Sequence, residues 1–229
     1  MWCDAGVRSL LSDDLWKQLT ALGRKRTYDT GARLIGEGEE DTHVIVLLDG
    51  RVKVTCSEQD GTEVLLSIRG DGDIVGERAA IDQDVRSASV TALRPCTARV
   101  LSAEEFFAFV DAHDLARPLL RLAVVRQREG QRIRVELTTL AVSQRLVRTL
   151  LRLGDAMGST AAGTGIGEEP VAVDLGLSQE ELARAIGASR SQVAACLRRL
   201  RRECVISTGR RRIVILDRDR LHRQDAGQR

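Results

Sequence analysis

The sequence predicts an α+β chain in which an antiparallel β-rich half precedes a helical half. In the first half, turn signals recur every ten or eleven residues, at Asp49-Gly50, Asp60-Gly61 and Asp71-Gly72, which is the rhythm of a sandwich or jelly roll. From about Ala103 the apolar residues follow a helical spacing of three and four. Near the C-terminus, two helix-capping signals follow one another across a glycine. We therefore expect a β-domain, a long helix and a small terminal domain.

Composition limits the class of protein. The 229 residues are enough for two modest domains, and the content of 43% hydrophobic and 30% charged residues is that of a folded chain. No apolar run approaches the about 20 residues that span a bilayer. The stretch "MWCDAGVRSLLSDD" lacks a basic region followed by an apolar one, so we expect a cytoplasmic protein with no membrane partner. The five cysteines are scattered, which predicts neither a disulfide framework nor a metal site.

Charge is distributed unevenly along the chain. Residues 1–110 carry 13 Lys and Arg against 19 Asp and Glu, whereas residues 177–223 carry 12 Arg against 5 acidic residues. This difference predicts that only the C-terminal part of the chain meets a polyanion.

Several stretches of the first half match particular elements. A helix is expected near Asp13 to Leu22, before the strands begin. Val44 to Leu48 is a continuous apolar run, while Arg51 to Thr55 alternates polar and apolar residues like a half-buried strand. The run "SASVTAL" predicts a further strand.

A long helical segment is expected from near Ala116 to Gly154. Polar residues interrupt its apolar stripe at Arg126 and at Glu129 or Gly130, so we expect a dimer seam with a polar window. The alternative is a kinked pair of helices within one monomer, which Gly130 would favour. The apolar positions of the stripe are Leu119, Leu122, Ile133, Leu137 and Leu140. The segment "GDAMGSTAAGTGIGEEP" that follows predicts a flexible surface loop.

Two capping boxes mark a helix-turn-helix. Ser178 with Glu181 opens one short helix, and Ser189 with Gln192 opens a second one after a turn at Gly187. The stretch "CVISTGRRRIVIL" then predicts a hairpin with a cationic tip. A charged helix is most often only a solvated face, but the capped pair, the basic charge and the hairpin together favour DNA binding.

One polar stretch of the β-rich half carries a candidate site. The sequence "DIVGERAAIDQDVRSASV" places Gly76 and Glu77 close before Arg86 and Ser87. Taken alone, the carboxylate and the arginine could form an ordinary surface salt bridge. An arginine fork and a carboxylate also suit a phosphate and a sugar hydroxyl.

The chain as a whole, from about Leu11 to Leu216, resembles the Crp/Fnr superfamily of bacterial regulators. The motifs that carry the resemblance are "GARLIGEGE", "GDIVGERAAI" with "VRSASV", and "LARAIGASRSQVAACLRRL". The resemblance implies a double-stranded β-roll sensor domain, a dimerisation helix and a winged helix-turn-helix. It places these at residues 1–115, 116–154 and 155–229.

The resemblance also implies a cyclic-nucleotide site. Arg86 would pair with the cyclic phosphate, Ser87 would donate a hydroxyl, Glu77 would accept from the ribose 2′-OH, and amides after Gly76 would face the anion. Family members that respond to cyclic AMP usually present hydroxyl residues to the base, and this chain has Gly130 and Gln131 instead. The base is therefore open, between cyclic AMP and another cyclic nucleotide. The full set of expected ligand-binding residues is Val75, Gly76, Glu77, Arg78, Ala79, Arg86, Ser87, Arg126, Gly130 and Gln131.

At the DNA end, the chain departs from the best-known members. Ser191 stands where they commonly have an acidic residue and Ala195 where they have a second arginine, so a different operator is expected; Arg190 can still read guanine. Arg198, Arg199, Arg201 and Arg202 suit phosphates or solvent better than bases. The expected DNA-binding residues are Ser178, Ser189, Arg190, Ser191, Gln192, Ala195, Arg199, Arg210, Arg211 and Arg212.

The resemblance implies an effector-responsive transcription factor rather than an enzyme, with DNA, a second copy of the chain and RNA polymerase as partners. His43, His113 and His222 are dispersed, and no nucleophile, Walker or metal signature accompanies them, so no metal is expected. Two alternatives stay open. The cassette, as we call the stretch from Asp73 to Val90 that carries the expected nucleotide site, could be vestigial or serve another effector. Alternatively, the chain could be a cyclic-nucleotide-binding module that binds no DNA.

Overall fold

The computed structural model of the protein describes residues 6–158, 177–209 and 212–226. These residues fall into two compact units, and the boundary lies inside a long helix between Gln127 and Arg128. Within the described ranges, no helix combines the length and the apolar character that crossing a bilayer requires.

The first unit is built from two antiparallel four-stranded sheets, as the turn rhythm predicted. Its strands are β1 (Arg24–Tyr28), β2 (Arg33–Ile35), β3 (Val44–Asp49), β4 (Arg51–Ser57), β5 (Glu63–Gly70), β6 (Ile74–Val75), β7 (Ser89–Ala92) and β8 (Cys96–Leu101). One sheet has the order β1-β8-β3-β6 and the other the order β2-β7-β4-β5. The polar stretch between β6 and β7 therefore connects one sheet to the other.

Strand β3 is buried on both faces, which explains its continuous apolar sequence. Val44 and Val46 contribute to a core shared with the helices of this unit. Ile45 and Leu47 point the other way, into the core between the sheets. Because successive side chains of a strand alternate in direction, a strand between two cores is apolar at every buried position.

Short helices accompany the sheets. A 3-10 helix (Val7–Leu10) precedes α1 (Asp13–Ala21), α2 (Glu77–Asp82) lies between β6 and β7, and α3 (Ala103–Ala112) follows β8. The expected opening helix is thus confirmed within one residue. Ser12 and Ser102 cap α1 and α3 with their hydroxyl oxygens, which accept backbone N–H groups of the first turn.

The predicted single helical segment is in fact two helices. Helix α4 (Ala116–Thr139) ends before Leu140, and α5 (Val142–Gly158) begins after Ala141, whose amide donates to the Gln144 side chain at 3.3 Å. Helix α4 runs through Gly130 without a break, so the kink does not lie where the glycine suggested. The first residues of the predicted loop are the last residues of α5, and its remainder lies outside the described residues.

The structure shows how far the residues of the predicted α4 stripe are buried within their own chain. Leu122 is buried in the helix-side core of the first unit, and Leu119 packs against the same core. Leu122 is therefore covered by its own unit, whereas Leu119 is only partly buried, so the dimer seam stays a prediction. Of the remaining residues of the predicted stripe, Ile133 and Leu140 are half-buried and Leu137 is exposed. The exposed apolar residues of α4 are Leu120, Val124, Val135 and Leu137.

The second unit contains the expected helix-turn-helix and wing. Its elements after α5 are α6 (Gln179–Ala185), α7 (Arg190–Arg202), β9 (Ile206–Gly209), β10 (Arg212–Ile215) and α8 (Arg218–Ala226). The core joins α5, α6 and α7 through fully buried leucines such as Leu150, Leu182 and Leu200. Helix α8 was not expected from the sequence, and it packs through the buried Leu221.

Candidate functional site

The candidate site of the first unit begins at a left-handed backbone position. Gly76 follows β6 with φ +86°, in the region that favours glycine, and Glu77 is the first residue of α2. A Cβ atom at Gly76 would lie 2.8 Å from both Arg86 Nη1 and the His43 carbonyl oxygen. Only glycine fits this close approach. Because Gly76 has no side chain, it leaves the first amides of α2 without a side-chain cap.

Arg86 lies beneath this turn with its side chain 2% exposed. Its Nε donates to Asp41 Oδ1 at 2.5 Å, Nη1 donates to the Gly76 carbonyl at 2.8 Å, and Nη2 donates to the His43 carbonyl at 2.7 Å. A guanidinium has five N–H donors, so at least three of the five are committed inside the protein. The residue expected to bind phosphate is therefore fixed in position by its own unit.

Backbone hydrogen bonds hold Arg86 and Asp41 together. The Arg86 amide donates to the Glu39 carbonyl at 2.8 Å, and the Gly38 amide donates to the Arg86 carbonyl at 2.8 Å. The loop between β2 and β3 is thus paired with the end of the cassette loop. This pairing places Asp41 and His43 next to an arginine that lies more than forty positions away in sequence.

His43 lies beside Asp41 and Arg86. Its Nδ1 lies 3.0 Å from Asp41 Oδ2. Burial lowers the pKa of His43, and the Asp41 carboxylate opposes part of that decrease. Neutral His43 can donate a hydrogen bond to Asp41, which helps to orient the carboxylate toward Arg86.

Glu77 also has a partner within the first unit. Arg126 of α4 donates from Nη1 to Glu77 Oε1 at 3.0 Å and pairs through Nη2 with Asp73. Asp73 is buried, accepts the Ile74 amide at 2.9 Å and lies 3.4 Å from Arg69 Nε. Arg126, expected as part of a polar window in a seam, instead turns inward and ties α4 to the cassette.

The remaining expected ligand-binding residues differ in exposure. Val75 and Ala79 are buried, Val75 in the core between the sheets, while Arg78 and Ser87 are exposed. Gly130 and Gln131 are exposed and belong to the second unit, so the first unit by itself does not contain them.

Three residues that lie beside Arg86 or Arg126 were missed from the sequence: Asp41, His43 and Asp73. Asp41 lies in the acidic run "GEGEED", which has the composition of an ordinary solvated loop. Only the pairing of β3 with β6 and β8 brings that loop to the cassette. Asp73 opens the candidate stretch that ends at Val90, but its burial beside two arginines has no signal in the sequence.

In the second unit, both predicted capping boxes are present. The Ser178 hydroxyl accepts the Glu181 amide at 3.1 Å, and Glu181 Oε2 accepts the Ser178 amide at 2.8 Å. Ser189 and Gln192 make the same reciprocal pair at 3.3 and 2.9 Å. Between the helices, Gly187 has φ +58°, as a tight turn requires. The helix-turn-helix prediction is confirmed.

The outer face of α7 presents the expected reading residues. Arg190, Ser191 and Ala195 are exposed at its N-terminal half. The Gln192 side-chain oxygen is committed to its cap, which leaves the amide nitrogen for DNA. Arg199 is half-buried, with Nε 3.9 Å from Glu203, so it is less available than its exposed neighbour Arg198.

The three arginines expected at the tip of the wing fall only partly within the described residues. Arg210 and Arg211 are outside the described residues, and Arg212 is the first residue of β10. Strand β9 of the wing is joined to α7, because Arg201 Nη1 donates to the Thr208 hydroxyl at 3.2 Å. The wing arginines therefore stay predictions, on a hairpin that the structure contains.

Comparison with known proteins identifies both domains. A cyclic nucleotide-binding domain model matches residues 25–113, and a Crp-like helix-turn-helix domain model matches residues 144–224. A CRP-like cAMP-activated global transcriptional regulator of Mycobacterium tuberculosis is 27% identical over 159 residues, which cover 69% of each chain. The human cGMP-dependent protein kinase 2 is 36% identical over 88 residues, 38% of this chain and 11% of the kinase.

A solved structure extends the similarity to the arrangement of elements. FixK2 from Bradyrhizobium japonicum matches with a TM-score of 0.72 at 19% identity, covering 89% of this chain and 98% of that one. At this identity the match supports the fold alone. The two domain models occur in the expected order on a chain with this fold, and the chain is therefore a member of the Crp/Fnr family of transcriptional regulators.

Proposed function

We propose that this regulator binds a cyclic nucleotide in its first unit and that the nucleotide controls DNA binding by the second. The observation that carries the proposal is the placement of Arg86 and Glu77 at Gly76, where Arg86 holds the glycine carbonyl and Glu77 opens α2. A guanidinium, a carboxylate and uncapped amides within one turn are the groups that a cyclic phosphate joined to a ribose needs.

Arg86 and Glu77 suit the phosphate and the ribose of a nucleotide, but they do not specify its base. Arg86 would supply N–H donors to the phosphate. Glu77 would accept a hydrogen bond from the ribose 2′-OH, either while it still accepts from Arg126 or after that contact breaks. Two relatives are described as responding to different nucleotides, cyclic AMP and cyclic GMP. Gly130 and Gln131 are the proposed base-facing positions, and they lack the hydroxyl groups that favour adenine. Weak discrimination between the two nucleotides is therefore part of the proposal.

On the DNA side, we propose a homodimer that binds a pseudo-palindrome with half-sites about one helical turn apart. The exposed apolar residues Leu120, Val124 and Val135 of α4 support a dimer seam. Arg190 would read a base edge, and the wing arginines would bind phosphates. The division into residues 1–115, 116–154 and 155–229 follows from these roles, and RNA polymerase is the proposed further partner.

A second candidate is a regulator of the same fold whose cassette binds no cyclic nucleotide. The internal pairs favour it, because Arg86 with Asp41 and Glu77 with Arg126 satisfy both charges without a ligand. In that case, the pairs would be permanent structural contacts and another effector, or none, would control DNA binding.

Selection of DNA from a random duplex pool tests the proposal. Full-length protein is used to enrich duplexes with no nucleotide, with cyclic AMP and with cyclic GMP, and the affinity of the enriched duplex is then measured by fluorescence anisotropy. We expect at least one nucleotide to change the affinity about tenfold or more, the size of a typical allosteric coupling. Equal affinity under all three conditions would favour the second candidate.

A further inference from the structure

We infer that Asp41 is an internal counter-anion of the cassette, whose carboxylate neutralises Arg86 in the free protein and competes with the phosphate of a bound nucleotide. The inference rests on the proposed function and adds how the affinity of that site is set. A cyclic nucleotide would then exchange one anion at Arg86 for another.

The geometry distinguishes Asp41 from the other partners of Arg86. The Arg86 side chain is 2% exposed, whereas the Asp41 side chain is 46% exposed and lies on the loop between β2 and β3. The other two acceptors of the guanidinium are the backbone carbonyls of Gly76 and His43. Within the described part of the chain, Asp41 supplies the negative charge for this buried cation.

Electrostatics then sets the direction of the effect. A buried guanidinium is costly without a counter-charge, so Asp41 stabilises the free protein. A phosphate brings its own negative charge to the same guanidinium, where a second carboxylate repels it. Because Asp41 is half exposed, it can turn into water and be hydrated there, while the two carbonyls keep Arg86 in place.

A positioning role for Asp41 predicts the opposite result. If the carboxylate only orients Arg86 toward the phosphate, any weakening of the contact reduces nucleotide affinity. If it competes, removal of its charge increases that affinity. Asparagine separates the two roles, since it retains an oxygen acceptor for Arg86 Nε but carries no charge.

The test is calorimetric titration of full-length wild type, Asp41→Asn and Glu40→Gln with cyclic AMP and with cyclic GMP. Glu40 is the exposed neighbour on the same loop, so its variant is the control for the change in net charge. We expect Asp41→Asn to bind roughly three- to tenfold more tightly, as loss of a competing, partly exposed ion pair allows, and Glu40→Gln to bind as wild type does. Equal or weaker binding by Asp41→Asn overturns the inference.

Thermal unfolding with and without nucleotide gives a second readout. Asp41→Asn should lower the melting temperature of the free protein, and saturating nucleotide should reduce or remove that difference; a difference unchanged by nucleotide contradicts the inference. Asp41→Ser serves if the asparagine variant does not fold. If wild type binds and the variant does not bind more tightly, only the inference fails. If neither wild type nor variants bind either nucleotide, the proposed function fails and the inference fails with it.

Discussion

Asp41 Oδ1 lies 2.5 Å from Arg86 Nε, and this contact joins two loops that are distant in sequence. Arg86 is therefore both the expected phosphate ligand and a structural residue of the first unit. Its burial and its three internal hydrogen bonds indicate that removal also destabilises the unit.

Replacement of Arg86 by alanine should have two measurable effects. Binding of cyclic nucleotide should weaken by about 2 to 5 kcal/mol, the usual cost of losing one partner of a buried charge pair. The free energy of unfolding should also fall, because Asp41 and two carbonyls lose their donor. Calorimetry and urea unfolding measure the two effects, and Arg94→Ala, an exposed arginine of the same unit, is the control. Unchanged nucleotide affinity in Arg86→Ala would contradict the assignment of the cassette.

Arg190 and the wing should differ in how they contribute to DNA affinity. Arg190→Ala should cost about 1 to 3 kcal/mol on the selected site and relax specificity there, because it removes a hydrogen-bond donor to a base edge. Neutralising Arg210, Arg211 and Arg212 should weaken binding to all sequences alike and reduce the salt slope by about 0.9 for each phosphate that is no longer neutralised. Anisotropy against salt, with selected and scrambled duplexes, separates these outcomes. A sequence-selective loss in the wing variant and a uniform loss in Arg190→Ala would exchange the two roles.

His43 should make the stability of the protein depend on pH. Burial lowers its pKa below the usual value of 6.5, and the charges that face it are Asp41, Arg86, Arg26 and Glu39. The unfolded chain therefore binds the proton more readily than the native chain does. The stabilising effect of neutral His43 is fully present above pH 6.5 and is lost as the pH falls through the lowered native pKa.

Urea unfolding between neutral and mildly acidic pH checks this expectation. The free energy of unfolding should fall more steeply with decreasing pH in wild type than in His43→Asn, which cannot bind that proton. Parallel pH profiles for the two proteins would show that His43 titrates alike in the native and unfolded chains.

Glu136 ties the end of α4 to the next helix. Its carboxylate accepts from Arg148 at 3.1 Å and from Arg152 at 2.6 Å, and Arg148 also donates to Asp225 of α8 at 2.6 Å. The hydrogen bond from Arg148 to Asp225 is the main cause that raises the pKa of Arg148. Glu136 thus joins α4 to α5 across the break at Leu140 and Ala141, and Arg148 joins α5 to α8.

Glu136→Gln should lower the free energy of unfolding by about 1 to 3 kcal/mol, because it leaves two partly buried arginines without their shared carboxylate. Asp225→Asn should have a smaller effect of the same sign, since Arg148 keeps Glu136. Asp219→Asn removes the same charge from an exposed position in the first turn of α8 and should cost less than about 1 kcal/mol, through the helix dipole alone. A decrease of equal size in Asp219→Asn would show that net charge, rather than this network, is responsible.

Local signals explain which elements could be predicted. The capping boxes at Ser178 and Ser189 involve residues three positions apart, so the sequence contains all that is needed to recognise them. The break after Thr139 could not be predicted in this way, because apolar periodicity continues across it. Helix α8 was missed because its sequence is almost wholly polar, with Leu221 as its buried anchor.

Tertiary packing decides the rest of the candidate site. Periodicity indicated that Leu119 and Leu122 belong to a buried stripe, but not which surface covers them. Glu77 and Arg86 could be identified from one short stretch, whereas Asp41 and Arg126 reach them only through the sheet topology and the course of α4. Such pairs of distant residues carry no local sequence signal.

Calorimetric titration of full-length wild-type protein with cyclic AMP and with cyclic GMP is the decisive measurement for the cassette. We predict saturable binding of one nucleotide per chain, discrimination between the two of less than about tenfold because Gly130 and Gln131 offer no hydroxyl, and loss of that binding in Arg86→Ala. Tight binding with a strong preference for cyclic AMP would contradict the assignment of the base-facing positions. Absence of saturable binding by either nucleotide would contradict the cassette itself.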